Sequence, residues 1–158
     1  MPDPRPEMPS GAPSAELRVV VMGIVNITPD SFWEGGRLTD AEAAIAYGLA
    51  LAARGADWLD VGGESTRPGS SPVSEAEESA RVLPVIEGLA KRTELPLSID
   101  TRRARVAEAA LAAGARIVNA VSGLRDPGLA SVCAARGATL VLNHMRGEPA
   151  TKIGRAHV

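Results

Sequence analysis

Three segments of this chain repeat one phrase: Gly55-Ala56-Asp57-Trp58-Leu59-Asp60, Gly114-Ala115-Arg116-Ile117-Val118-Asn119 and Gly137-Ala138-Thr139-Leu140-Val141-Leu142-Asn143. In each, a glycine supplies the left-handed residue that stops a helix, a short apolar run follows, and a polar side chain closes it. The rest of the chain keeps the same grammar. Short β-rich runs alternate with longer Ala-rich segments of helical period, the pattern of a parallel sheet covered by helices. The runs predict strands at about Val19 to Asn26, Trp58 to Val61, Leu97 to Asp100, Ile117 to Val121 and Thr139 to Asn143. Each is nearly continuous in apolar residues and suited to burial on both faces. Thr39 with Glu42, and Ser74 with Glu77, have the hydroxyl-then-Glu spacing of a capping box and predict two helix starts. Thr101 is expected to cap a third.

Spacing then bears on the fold. Successive strands start roughly 30 residues apart, so eight such units would need about 240 residues, the usual length of a closed (β/α)8 barrel. The 158 residues accommodate about five. The fold class is therefore α/β, either a (β/α)8 TIM-barrel type truncated after about five βα units or a complete five-stranded open sheet. Residues 1–16 hold five prolines among Ser, Gly, Asp and Glu and read as a disordered tail, which leaves residues 17–152 as the domain. Polar tips collect where the strands end, at Asn26, Asp60 to Arg67, Asp100, Asn119 and Asn143-His144. Barrels and doubly wound sheets build their sites along that edge.

Composition excludes several classes of function. Seventeen basic residues nearly balance 19 acidic ones and only four residues are aromatic, so the basic surface and stacking rings used on nucleic acid are missing. No stretch reaches the roughly 18 apolar residues of a membrane span, and a cytoplasmic location is the expectation. The one cysteine, Cys133, can form neither an internal disulfide nor a zinc cluster, and its Ala-rich setting predicts a small buried helix position.

Two clusters carry chemistry. Asp60-Val61-Gly62-Gly63-Glu64-Ser65-Thr66-Arg67-Pro68-Gly69 follows a strand directly with three glycines, a hydroxyl pair and an arginine. Such a loop can curl its N–H groups round an oxyanion while Arg67 offers a planar fork of donors, although a surface turn has the same composition. Asn26-Ile27-Thr28-Pro29-Asp30-Ser31-Phe32-Trp33-Glu34-Gly35-Gly36 places two of the four aromatics in a loop. It reads as a lid hinged at the glycines or as a loop anchored by Phe32, with the Asn26 amide able to meet a hard cation or a phosphate. Asp100 and Asn119 end adjacent strands and could both hydrogen-bond the amide edge of a heterocycle, or each could support a helix start. His144 has no second histidine or cysteine placed to share a metal, and a packed histidine is the simpler reading.

Met22 to Phe32 and Asp60 to Gly69 together resemble the two signature segments of dihydropteroate synthases. Ser98-Ile99-Asp100-Thr101, Ile117-Val118-Asn119 and Asn143-His144-Met145-Arg146-Gly147 fall in that family's order, so the resemblance covers about residues 19–152. It implies a (β/α)8 barrel and a transferase of folate biosynthesis, which condenses 6-hydroxymethyl-7,8-dihydropterin diphosphate with 4-aminobenzoate and releases pyrophosphate. Magnesium is the implied cofactor. Carried over by position, Asn26 resembles the residue at the metal and diphosphate, and Asp100 and Asn119 resemble pterin-binding residues. Thr66, Arg67 and Pro68 match the second loop, which with Phe32 would close over the diphosphate and shape the aminobenzoate site where sulfonamides compete. Thr66, Arg67 and Asp100 are the implied catalytic set. The implied partners are these small molecules, and a second copy of the chain in the full-length protein.

The chain also departs from the family's pattern. Ala120 stands where Asp usually follows the strand-four Asn, Asn143 stands where a Met commonly lines the pterin pocket, and Trp33-Glu34 replaces a common Ser-Asp. The family's later segments, with a second Asp, a Lys and an Arg-x-His pair, have no counterpart. Residues 153–158 read as a non-native tail, and the 158-residue chain is expected to be a fragment inactive alone. A pterin-binding domain of methyltetrahydrofolate methyltransferases is the related alternative, against which the Gly63 to Pro68 loop argues. The non-enzyme alternative is an open-sheet fragment that binds pterin weakly or a partner chain along its edges.

Overall fold

The computed structural model describes residues 19–27, 37–64, 72–121 and 123–143. Nine elements follow one another in strict alternation. They are β1 (Met22–Asn26), α1 (Arg37–Ala53), β2 (Trp58–Gly62), α2 (Glu75–Ala90), β3 (Leu97–Asp100), α3 (Ala104–Ala113), β4 (Ile117–Ala120), α4 (Gly128–Arg136) and β5 (Thr139–Leu142). The five strands form one parallel sheet in the order β1-β2-β3-β4-β5. The repeated glycines do what the sequence requires of them, since Gly55, Gly114 and Gly137 all have positive φ, at 97°, 122° and 62°.

Strand order separates the two architectures. A doubly wound sheet reverses its order at a switch point and puts helices on both faces. Here each strand neighbours the next in sequence, and α1 packs on α2, α2 on α3 and α3 on α4, so the helices form a single layer. Right-handed crossovers that always advance in one direction place every helix on the same side. This is the wall of a (β/α) barrel, with helices outside and the other sheet face turned inward.

The core lies between sheet and helices. Leu59, Val61, Ile99 and Val118 from the strands meet Val82, Val85, Ile86 and Leu89 of α2 and Val106 of α3, all fully buried. Each such aliphatic side chain contributes about 1.5 to 3 kcal/mol through burial. Cys133 packs into the same core from α4, as its setting predicts.

Burial of both strand faces holds for the central strands and fails at the flanks. β2, β3 and β4 are buried almost throughout, whereas β1 alternates, with Met22 38% and Ile24 53% exposed. Val25 packs towards Gly48 of α1, so Met22, Ile24 and Asn26 belong to the inward face. β5 is likewise only partly covered.

Helix starts were partly legible. Ser74 caps α2, its hydroxyl accepting from the Glu77 N–H at 3.2 Å. Helix α1, by contrast, begins at Arg37, two residues before the predicted Thr39 cap. Glu42 serves another purpose, since its carboxylate accepts both guanidinium N–H groups of Arg92 at 3.1 and 3.2 Å and ties α1 to the end of α2. Thr101 does not cap α3 either. Its hydroxyl donates to buried Glu78 at 2.6 Å, and the Ala104 N–H at the helix start is met by Asp126 Oδ2 at 2.7 Å, from 22 residues further on.

Candidate functional site

Register brings the polar strand tips into line. Asn26 pairs with Gly62, Gly62 with Asp100 and Asp100 with Asn119, so one row crosses four strands at their carboxyl ends. Because side chains alternate along a strand, all four positions share the inward face. The row beneath runs Ile24, Asp60, Ser98, Ile117 and Thr139. Three sequence-predicted site residues, Asn26, Asp100 and Asn119, are thus assembled by the sheet itself.

Glycine at position 62 keeps this row open. A Cβ there would lie 3.1 Å from Asn26 Oδ1 and 3.7 Å from Asp100 Oδ2, so the two oxygens border one space that a side chain would fill. An amide oxygen and a carboxylate are hard donors of the kind magnesium takes, usually one or two from the protein with the rest from phosphate and water. Among the described residues no group of three or more His, Cys, Asp or Glu could hold a metal. The fit is therefore to a cation that a ligand's own oxygens complete, and Asn26 and Asp100 are the residues that would hold it.

Electrostatics single out Asp100. Its pKa is raised from 3.8 to about 7, first by burial and then by the negative charges of Asp60, Glu78 and Glu64. A carboxyl in that condition changes charge near neutrality and responds to whatever hydrogen-bonds it.

Two of the predicted residues are joined directly. Asn143 donates from Nδ2 to Asn119 Oδ1 at 3.1 Å, and Asn119 donates from Nδ2 to Asp60 Oδ2 at 3.1 Å. Asn119 and Asp60 are only 6% and 4% exposed. The second oxygen of Asp60 and the Ser98 hydroxyl, both in the lower row, are buried without a hydrogen-bond partner among the described residues. The Ala120 departure falls elsewhere, because alternation turns Ala120 away from Asn119 into the helix-side core.

Behind the row lies a charge network that sequence reasoning missed. Glu78 is 1% exposed. Its carboxylate is held by the Thr101 hydroxyl and by Arg103, which also donates to Glu64 at 3.0 Å and to the Val73 carbonyl at 2.6 Å. Arg102 donates to the other Glu64 oxygen at 2.9 Å, and Arg81 to the Gly63 carbonyl at 2.9 Å. Residues on both sides of 65–71 are thereby fastened to the segment that follows Asp100. One signal was available in the sequence: Glu78 sits on the apolar stripe of Val82, Val85, Ile86 and Leu89, where an acid requires a buried partner. Phe32, Thr66, Arg67, Pro68 and His144 lie outside the described residues, as do the expected tails at 1–16 and 153–158.

Comparison with known proteins points the same way. The sequence profile of the family described as "Pterin binding enzyme" matches residues 22–156. Dihydropteroate synthase of Bacillus subtilis is 46% identical over 136 residues, which are 85% of this chain and 48% of that protein. A Xanthomonas albilineans dihydropteroate synthase solved with 4-aminobenzoic acid superposes with a TM-score of 0.78 at 55% identity, covering 82% of this chain and 48% of that one. The same enzyme with 7,8-dihydropteroate gives a TM-score of 0.73 at 51% identity, covering 82% and 47%. The chain thus spans about half the length of the relatives it matches. No helix among the described residues is long and apolar enough to cross a membrane.

Proposed function

The chain belongs to the pterin binding enzyme family, and from that premise we propose that its carboxyl-edge row is part of a dihydropteroate synthase site. The reaction joins the amine of 4-aminobenzoate to the methylene of 6-hydroxymethyl-7,8-dihydropterin diphosphate. A C–N bond forms, the C–O bond to the diphosphate breaks, pyrophosphate leaves and the amine loses a proton. The observation that carries this reading is the single row Asn26, Gly62, Asp100 and Asn119 on the inward face. The solved relatives with 4-aminobenzoic acid and with 7,8-dihydropteroate support the two substrates.

Each residue has a part in this proposal. Asp100 and Asn119 hydrogen-bond the pterin ring, whose N–H and amino donors suit a carboxylate and an amide oxygen. Those donors favour the ionised form of Asp100, so binding releases a proton from a group that stands near pKa 7 beforehand. Asn26 with Asp100 would hold magnesium, which when bound offsets charge on the departing diphosphate. Thr66, Arg67 and Pro68, with Phe32, are assigned to the diphosphate and to the aminobenzoate position that sulfonamides contest, on the strength of the resemblance. A fixed Arg fork and ordered N–H groups stabilise a leaving oxyanion best where water is excluded. A cytoplasmic setting and a homodimer of the whole protein belong to the same proposal.

A chimaera tests it. Residues 22–143 would replace the matching half of the Bacillus subtilis synthase, with dihydropteroate formation as the readout. We expect product, and a loss of about tenfold or more on Asp100→Ala. A folded chimaera that forms no product contradicts the reading.

A further inference from the structure

The two ends of an asparagine amide have the same shape and opposite chemistry, so a site that uses one must fix which way it faces. Asn119 is fixed from both sides. Its Nδ2 meets Asp60 Oδ2 at 3.1 Å, and a carboxylate only accepts. Its Oδ1 meets the Nδ2 of Asn143 at 3.1 Å, and an amide nitrogen only donates. Donation therefore runs in one direction, from Asn143 to Asn119 to Asp60. Turning the Asn119 amide over would set oxygen against oxygen at Asp60, at a residue only 6% exposed, and donor against donor at Asn143 unless that amide turned as well. Among the described residues each end of the amide keeps one unused group, an N–H at Nδ2 and a lone pair at Oδ1, beside Asp100 in the same row.

We propose that Asp60 and Asn143 are positioning residues that set the polarity of the Asn119 amide, so that its remaining N–H and lone pair meet a heterocyclic ligand in a fixed order. The proposal rests on the pterin reading above and adds two residues that act through Asn119. Asp60 lies one row below the edge, and Asn143 follows the end of β5. It also gives Asn143 a purpose. An apolar side chain at that place would leave the Asn119 oxygen without its inward donor.

Exchanging the two residues isolates polarity from mere pairing. In the double variant Asp60→Asn with Asn143→Asp, both hydrogen bonds can form and the net charge is unchanged, but donation runs the other way and the Asn119 amide turns over. We expect this variant to melt within a few degrees of wild type and to bind 6-hydroxymethylpterin at least about tenfold more weakly. Affinity within twofold of wild type would overturn the proposal, because pairing alone would then suffice. Should the double variant fail to fold, Asn143→Asp alone serves, at a position that is already exposed. Its carboxylate would then face Asn119 Oδ1 as Asp60 faces Nδ2, so either orientation of the amide sets oxygen against oxygen at one end and its polarity is no longer fixed; affinity should fall at least about fivefold with the melting temperature within a few degrees of wild type. Unchanged affinity overturns the idea. A wild-type chain that does not bind the pterin at all would sink the functional reading instead. Polarity is then judged by the Asn119 side-chain amide in NMR. We expect one of its two protons to exchange slowly in wild type and to lose that protection in Asp60→Leu, which removes the acceptor, and equal exchange of both in wild type would refute it.

Discussion

At Asp100 the fold works against a charge. Burial and the neighbouring Asp60, Glu78 and Glu64 hold its pKa near 7, above its ordinary 3.8, so the folded protein binds this proton more tightly than the unfolded chain does. Between about pH 4 and pH 7 the native state carries the extra proton, and stability falls as pH rises through that window. Asp100→Asn removes the penalty. We expect the variant to match wild type near pH 4 and to exceed it by roughly 1 to 3 kcal/mol at pH 8 in chemical denaturation. A gap independent of pH would show that the carboxyl is ordinary. Gly62→Ala makes the complementary test, because its Cβ would enter the space between Asn26 Oδ1 and Asp100 Oδ2. Ligand affinity should drop while the melting temperature moves little. At this scale the sequence was most informative about Asp100 and Asn119, polar residues at or near the ends of predicted strands. It was least informative about the partners of Asn119, since the Asp60 hydrogen bond spans 59 residues and no local pattern encodes it.

Contacts between elements depend on positions that look unremarkable in sequence. Gly88 in α2 faces Ile45 in α1, where an added Cβ would come within 2.3 Å of Cδ1 and 3.0 Å of Cγ1. Gly to Ala inside a helix ordinarily gains up to about 1 kcal/mol. Ile45 is 3% exposed and packed in the core, so overpacking should win and Gly88→Ala should cost about 1 to 2 kcal/mol net. In an Ile45→Val background, which removes the clashing methyl, the same change should be neutral or stabilising. Additive effects of the two substitutions would contradict the close approach. Asp126 is a second such position. Its carboxylate accepts from the Ala104 N–H at 2.7 Å and the Gly128 N–H at 2.9 Å, which serves the first turns of both α3 and α4 and holds its pKa below the ordinary range. Asp126→Ala should cost about 1 to 2 kcal/mol by thermal or chemical unfolding, and no change would mean that water replaces it fully. Ser74 was legible as a cap because its partner is three residues away. Thr39 misled because α1 already begins at Arg37, and Thr101 because its hydroxyl is drawn to Glu78 while Asp126, from elsewhere in the fold, meets the Ala104 N–H.

Among the described residues the molecule is a parallel wall with its candidate site along one edge. The alternation of strands and helices was legible in the repeated Gly-Ala phrases, whereas the strand order and the single helix layer, which separate a barrel wall from a doubly wound sheet, came only with the structure. The faces of β1 were harder to foresee, because burial of an inward face depends on what fills the interior, and Ile24 there is 53% exposed. Relatives about twice as long as this chain share the wall. The 158-residue chain assayed alone should give no dihydropteroate above a protein-free blank. Product abolished by Asp100→Ala would show that five strands suffice. The central claim, that the row from Asn26 to Asn119 is a pterin site, is tested most directly by calorimetric titration with 6-hydroxymethylpterin. Wild type, Asp100→Ala, Asn119→Ala and the exposed helix control Glu108→Ala would be compared. The account predicts saturable one-to-one binding in wild type and control, weakened about tenfold or more in each site variant. Absence of saturable binding, or equal affinity in all four proteins, would contradict it.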